Sequence, residues 1–216
     1  MFHVEQAEWF RTFLVEGAAE LGILLNETQI DEFVVYYREL LAWNKRINLT
    51  AIREAKEIAG KHFLDSIACS RALQPLSANV SLLDVGSGPG FPGLPLKILY
   101  PQLDLTLLEP NLKKTAFLRY VIGKLDLKNV IVISKTVQEF SNEVESKFSY
   151  VVIRALKLGP ILHCILSLLA GQGKLILFRT KPFDREIDIN ELQVAEEIAY
   201  DLPYGYGKRV LTIMQP

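Results

Sequence analysis

One run constrains this chain more than any other: Ser81-Leu82-Leu83-Asp84-Val85-Gly86-Ser87-Gly88-Pro89-Gly90-Phe91-Pro92-Gly93. Between Leu82 and Val85 the only polar residue is Asp84, the pattern of a short strand covered on both faces. Gly86, Gly88 and Gly90 follow at once. Glycine allows positive φ and lets a ligand lie directly against the backbone. A strand, a glycine turn and a helix start form the unit on which open α/β sheets bind nucleoside ligands, at the carboxyl edge of the strand.

The spacing is G-x-G-x-G, not the G-x-G-x-x-G of a dinucleotide fold. A pyrophosphate needs free backbone N–H groups at a helix N-terminus. Pro89, Pro92 and Pro95 interrupt that region and have no N–H to give. Pro92 and Pro95 remain acceptable in a first helical turn. The loop therefore suits a ligand without phosphates. Leu103 to Leu108 has the character of the next strand and ends at Glu109, an acid placed to accept hydrogen bonds from ribose hydroxyls. S-adenosylmethionine (SAM) meets both conditions: it carries adenine, ribose and a sulfonium, and no phosphate.

With 216 residues, half of them hydrophobic, the chain suffices for one sizeable α/β domain and a modest extension. No apolar run approaches a membrane span. Met1 to Glu5 has neither a basic nor an apolar signal region, so a cytoplasmic location is expected. Cys69 and Cys164 are isolated and read as buried thiols, not as a disulfide. Three dispersed histidines give no zinc spacing. A formal net charge of −1 is not that of a general nucleic-acid coat protein; any RNA patch is local and offset by acidic surface elsewhere.

Residues 1–79 are expected to form a helical extension packed on the core, and 80–216 the ligand-binding core. Trp9, Phe10, Phe13, Leu14 and Leu21 recur near helical spacing. Asn26, with Gln29 as capping-box partner, opens an amphipathic helix carrying Ile30, Phe33, Val34, Tyr37, Leu40 and Leu41 and ending near Trp43-Asn44. Two further helices are expected over Glu54–Gly60 and His62–Leu73. Strands follow at 81–85, 103–108, 130–134, 148–154 and 174–178. Helices are expected at 113–125 and 161–169, the latter closed by Gly171, and a short one at 184–193. Two last strands, 196–202 and 208–214, are joined too closely to be anything but antiparallel. The sum is an α/β fold: a doubly wound, mostly parallel seven-stranded sheet of the Rossmann-like class I SAM-dependent methyltransferase type, with an N-terminal helical extension.

The residues also limit the chemistry. Strand four ends in Ile153-Arg154-Ala155-Leu156-Lys157, without the Asn/Asp-Pro-Pro-aromatic motif of exocyclic-amine methylation. Cys164 lies within one predicted apolar helix and Cys69 within another, where both are expected to be inert, which argues against attack on a pyrimidine carbon. What remains is an atom with an available lone pair, such as a purine N7, or an oxygen with its own base. Guanine N7 carries no proton, so positioning alone suffices. Arg154, at a strand end beside the glycine loop, is the candidate positioning residue. Lys157, Arg179, Lys181, Lys208 and Arg209 lie in loops that can flank the same edge as a phosphate-reading rim.

Trp43-Asn44, Asn48-Leu49-Thr50, His62-Phe63-Leu64-Asp65-Ser66 and the run Asp84 to Gly93 together resemble the bacterial glucose-inhibited division protein B family. Its members are SAM-dependent methyltransferases of guanine N7 in 16S ribosomal RNA. The resemblance runs from about Tyr37 to Arg209. It implies cofactor contacts at Gly86, Phe91, Glu109, Val137, Gln138 and Arg154, to which the glycine loop itself adds Gly88 and Gly90. It implies an RNA or small-subunit substrate met by Asn48, His62, Lys157, Arg179 and Arg209. It implies no metal, no DNA, no membrane partner and a monomer. Three positions depart from the family pattern: Thr136-Val137-Gln138-Glu139 beside the adenine, Ile153 where serine is common, and Arg179-Thr180 where Lys-Gly is usual. His62 either orients the target base or anchors the helices to the sheet with Asp65 nearby, and the structural role is favoured; Asn48 has the same two readings. Rival readings are a small-molecule methyltransferase, a NAD-linked oxidoreductase, and a non-catalytic rRNA-binding assembly factor.

Overall fold

The architecture was analysed on a computed structural model, which describes residues 2–73, 80–145, 147–183 and 192–216, with side chains from residue 5 onward. Two long helices open the chain, α1 (Phe2–Glu20) and α2 (Glu27–Ile47). Asn26 caps α2: its side chain accepts from the Gln29 backbone, and Gln29 answers from its own side chain, so two orphan donors are satisfied reciprocally. The α2 helix runs on past the expected Asn44 to Ile47 and stops where Asn48 turns left-handed at φ 49°, a conformation asparagine tolerates.

The two helices expected over 54–73 are one bent path. It comprises α3 (Ala55–Ile58), a π turn (Ala59–Leu64), α4 (Asp65–Ala68) and a 3-10 turn (Cys69–Ala72). A π turn inserts an extra residue per turn and re-aims the side chains around it; here it carries His62.

Seven strands follow: β1 (Ser81–Val85), β2 (Asp104–Leu108), β3 (Val130–Ile133), β4 (Phe148–Arg154), β5 (Leu169–Arg179), β6 (Gln193–Leu202) and β7 (Gly207–Gln215). They form one sheet in the order β3-β2-β1-β4-β5-β7-β6. The first five run parallel, and β7 lies antiparallel to both β5 and β6. The connecting helices are α5 (Gly93–Leu99), α6 (Leu112–Lys124), α7 (Val137–Glu143) and α8 (Leu162–Leu168). The strand order reverses between β1 and β4, which leaves a crevice at their carboxyl ends.

One expectation is corrected here, and one element is added. Gly171 does not close a helix: α8 ends at Leu168 and Gly171 lies within β5. The segment after β3, to which the sequence reading assigns no element, forms α7, opened by a Thr136–Glu139 capping box. The expected helix at 184–193 falls mostly outside the described residues.

The pleat sorts side chains to two cores. Leu82 and Val152 join Phe10, Leu14, Phe33, Tyr36 and Phe63 of the helical extension in one cluster. Leu83, Val151 and Ile153 join Ile165 and Met214 in the other. The extension is therefore the cover of one sheet face, not a separate unit. Each fully buried Phe or Leu contributes about 1.5–3 kcal/mol to that union. A polar tie adds direction: Gln29 Nε2 donates to the carbonyls of Ile98 (3.3 Å) and Leu99 (3.2 Å), the last carbonyls of α5.

Candidate functional site

The site begins where β1 ends. Every N–H group from Gly86 to Gly93 is already used inside the protein. Gly86 and Ser87 both donate to the Leu108 carbonyl, and Gly90 and Phe91 both donate to the Ser87 carbonyl. Gly88 donates to Glu109 Oε2 at 2.8 Å and Gly93 to Asp84 Oδ2 at 2.8 Å. Pro89 and Pro92 have no N–H. A pyrophosphate would find no donor here, so the loop is built for a ligand free of phosphate.

The loop is propped from behind by α2. Tyr36 Oη donates to the Pro89 carbonyl at 2.6 Å, and its ring stacks on Phe91 with centroids 5.3 Å apart. Gly90 is where that approach needs glycine: its φ is +107°, and a Cβ there would fall 2.6 Å from both Tyr36 Oη and Leu94 Cδ1. Tyr36 was not foreseen as a core residue, although Phe33, Tyr36 and Leu40 follow the same i, i+3, i+7 spacing as the apolar face.

A cavity of ≈ 190 Å³ opens beside the loop, walled by Gly86, Leu108, Val137, Gln138, Leu156 and Ile161. Its apolar walls suit a flat aromatic base. Leu156 leans across Gly86 so closely that a Cβ there would come within 2.7 Å of its Cδ1. Glu109, 5 % exposed, stands where β2 leaves the sheet. Its Oε2 takes the Gly88 N–H and its Oε1 the Asn111 N–H at 2.9 Å; each oxygen keeps a lone pair for a sugar hydroxyl. Below the loop, Asp84 Oδ1 and Ser87 Oγ are buried without a partner, unusual for buried polar atoms. Burial pushes the Asp84 carboxyl up to about 7; the Gly93 N–H and Arg154 oppose this, and Glu109 adds to it.

A second cavity, ≈ 480 Å³, lies on the other side of the β4 end, lined by Arg154, Arg179, Lys181, Arg209, Asp65 and Phe178 among others. Ala155, at φ 62°, turns the chain between the two, leaving Arg154 in the cationic cavity and sending Leu156 and Lys157 to the apolar one. A left-handed alanine is strained backbone, and such residues concentrate at functional sites.

Arg154 holds the centre. Its Nη1 donates to the Lys61 carbonyl (3.3 Å), its Nη2 faces His62 Nδ1 (3.0 Å), and Asp65 Oδ2 is 3.7 Å away. The guanidinium lies 5.5 Å from the centre of the Phe91 ring, whose face also stacks on His62 at 4.8 Å. His62 Nε2 is 2.8 Å from Thr50 Oγ1. Burial, then the Arg154 charge, pushes the imidazole down to about 3, so it is neutral at any ordinary pH. Asp65 accepts from Tyr200 Oη at 2.8 Å and lies 3.6 Å from Arg209 Nε. Burial raises its carboxyl, and Arg154, Tyr200 and Arg209 pull it back.

The expected residues are thus distributed. Gly86, Val137 and Gln138 wall the apolar cavity, and Glu109, between the lining residues Leu108 and Pro110, is joined to Gly88. Gly90 and Phe91 lie behind the loop, against Tyr36. Arg154, Arg179 and Arg209 share the cationic cavity. Lys157, expected on the RNA rim, instead borders the apolar cavity, because Ala155 reverses the chain. Asn48, expected at the substrate, is the C-cap of α2 and borders a separate groove between α1 and α2. Cys69 is fully buried, and burial pushes its thiol up, so it offers no nucleophile.

The family model described as rRNA small subunit methyltransferase G matches residues 29–204. A ribosomal RNA small subunit methyltransferase G of Dehalococcoides mccartyi is 42% identical over 178 residues, 81% of this chain and 75% of that protein. That of Acetivibrio thermocellus is 33% identical over 215 residues, 95% of this chain and 88% of its own. Among solved structures, M. jannaschii TYW2 in complex with AdoMet shares the fold at TM-score 0.50 and 18% identity, over 69% of this chain and 74% of that one.

Proposed function

This chain belongs to the rRNA small subunit methyltransferase G family, and on that footing we propose that it moves a methyl group from SAM to N7 of a guanosine in 16S ribosomal RNA. The observation that carries the reading is the pair of cavities divided by Ala155: one apolar, with Leu108 and Pro110 on either side of Glu109 among its walls, the other lined by Arg154, Arg179, Lys181 and Arg209.

The residues present fit SAM. The loop donates nothing to a phosphate, the apolar walls suit adenine, and Glu109 has lone pairs for the ribose. Buried Asp84 Oδ1 and Ser87 Oγ supply polar groups for the amino-acid end. When bound, SAM supplies a methyl group made electrophilic by its positively charged sulfur.

The chain's own work is then to bind, orient and exclude water. Arg154, bonded to the Lys61 carbonyl and held by His62, presents a fixed positive charge in the second cavity, at the end of β4. The other cations of its cavity fit the phosphates that flank a target nucleotide. Guanine N7 loses no proton on methylation, so no general base is needed. The three buried carboxylates have other duties: Asp84 accepts from Gly93, Asp65 from Tyr200, and Glu109 from Gly88 and Asn111. Orientation of two reactants can lower a barrier by up to roughly 7–11 kcal/mol. Such a substrate places the protein with the small subunit in the cytoplasm.

The test is incubation of the purified protein and SAM with 16S rRNA from a strain lacking the enzyme, followed by mapping of N7-methylguanosine. A single new modified guanosine supports the reading. Methylation at another atom, or of free nucleosides in preference to rRNA, overturns it. Calorimetric titration with SAM separately checks the pocket.

A further inference from the structure

Outside the two cavities already described lies a groove of ≈ 660 Å³ between the start of α1, the second half of α2 and the segment leading to α3, lined among others by Gln6, Arg38, Asn44, Lys45, Asn48 and Arg53. The proposed reaction makes no use of it. We propose that this groove holds a single-stranded stretch of the substrate RNA by its phosphates, as an anchoring site separate from the one that receives the target guanosine. The inference rests on the assignment of RNA as substrate and adds where on the protein the flanking strand lies.

Charge is the first argument. The chain as a whole is at −1, so a general attraction to RNA is lacking and cations must be concentrated where they serve. The α2 helix is divided accordingly. Its first half carries Glu27, Asp31 and Glu32; its second carries Arg38, Lys45 and Arg46 with only Glu39 opposed. Glu39 is also the one carboxylate among the residues lining the groove, against three cations, Arg38, Lys45 and Arg53. All three are exposed and form no hydrogen bond or ion pair among the described residues. Cations in a protein usually gain something from a local acid, as Arg11 does from Glu27 and Asp31 on the acidic half of the same helix. Three unpaired cations around one concavity are a footprint for an outside polyanion.

The second argument is continuity. Asn44, on the groove wall, accepts the Thr50 N–H at 2.9 Å; Thr50 Oγ1 meets His62 Nε2 at 2.8 Å; His62 Nδ1 meets Arg154 at 3.0 Å. The groove is therefore three hydrogen bonds from the guanidinium at the β4 end, along one wall of α2, the 48–54 segment and the π turn. A strand whose target base enters beside Arg154 can continue along that wall. The polar Gln6, Asn44 and Asn48 are suited to sugar hydroxyls and phosphate oxygens, and the groove does not present the stacked aromatic cage that would read a particular base.

The test compares wild-type protein with the triple variant Arg38→Ala, Lys45→Ala, Arg53→Ala. A control triple, Lys124→Ala, Lys128→Ala, Lys174→Ala, removes the same charge at the opposite, amino-terminal edge of the sheet. Affinity for an rRNA fragment containing the target guanosine is measured as a function of KCl, with SAM affinity followed by calorimetry. Each single-strand phosphate contact contributes about 0.7 to the slope of log K against log salt. The groove triple is expected to lose about 2 from the magnitude of that slope and to raise KM for the fragment on the order of tenfold, with kcat at saturating RNA and SAM affinity unchanged. A fragment trimmed to the target nucleotide and its immediate neighbours should not distinguish the groove triple from wild type. An unchanged slope, or an equal loss in the control triple, overturns the groove and leaves the substrate standing; so does a loss confined to binding of an acidic protein. Failure of the wild-type protein to bind the fragment at all overturns the substrate assignment, and the groove with it.

Discussion

Arg154 Nη2 lies 3.0 Å from His62 Nδ1, and a guanidinium has only donors to offer. His62 Nδ1 is therefore the acceptor, its proton sits on Nε2, and Nε2–H donates to Thr50 Oγ1 at 2.8 Å. One imidazole thus ties the end of β4 to the segment after α2, and it does so only while neutral. Protonation would set a donor against a donor and a charge against a charge.

That dependence gives a sign to pH stability. In the unfolded chain His62 titrates near 6.5, and in the folded protein near 3. As pH falls from about 6.5 toward 3 the unfolded state takes up a proton that the folded state refuses, so this residue's contribution is lost on acidification. His62→Gln keeps an acceptor and a donor but has nothing to titrate. Urea melts at about pH 7 and about pH 4 should show a smaller drop in stability for the variant than for wild type; an equal drop would refute the assignment.

Asp84 pushes the other way. Its carboxyl is raised from 3.8 to about 7, so the folded state holds a proton that the unfolded state gives up. Stability from this group is full below 3.8 and is lost as pH rises through 7. In Asp84→Asn that loss is absent. Whatever its stability at pH 4, the variant should gain relative to wild type as pH is raised to 8, in the same melts. A constant difference across that range would show that the carboxyl titrates normally.

The strands were legible where burial on both faces leaves a continuous apolar run: β1 at 81–85 and β4 at 148–154 stand where the sequence places them. The antiparallel end of the sheet was legible because so short a link permits nothing else. β5 starts earlier than its apolar run because Leu169 pairs with Phe148 across an irregularity, a tertiary event without a local signal. α7 did have one, the Thr136–Glu139 capping box, but the sequence reading assigned it no element. The glycine loop and Glu109 were readable as a motif because their spacing is local. The surroundings of Arg154 were not. His62 is 92 residues away and Tyr200 is 135 from Asp65, and only the packing of the extension on the sheet brings them together.

The glycines of the loop should not be equivalent. Gly88 has φ +57°, and an added Cβ would meet nothing nearer than 4.0 Å. Gly88→Ala therefore incurs only the left-handed backbone penalty, about 1–2 kcal/mol. At Gly90 the φ of +107° is joined by an approach of 2.6 Å to Tyr36 Oη, so the side chain must displace α2 or the loop. Gly90→Ala is expected to be destabilised by at least about 3 kcal/mol. Chemical denaturation of the two variants decides it: equal losses would mean that Tyr36 does not clamp the loop.

Glu109 should be irreplaceable by its own amide. Its two oxygens accept from N–H groups at opposite ends of the carboxylate, Gly88 at 2.8 Å and Asn111 at 2.9 Å. Glutamine has one carbonyl oxygen, so in Glu109→Gln the NH2 must face one of those N–H groups. A buried donor is then left unsatisfied, at about 1–3 kcal/mol, and an acceptor for the ribose is lost. Calorimetry should show SAM affinity reduced at least about fivefold, the equivalent of the lower end of that range. Glu109→Asp, which keeps both oxygens but withdraws them by one methylene, should retain the fold better than it retains the ligand. Wild-type SAM affinity in the glutamine variant would mean that the carboxylate serves the loop alone and leaves the sugar to other groups.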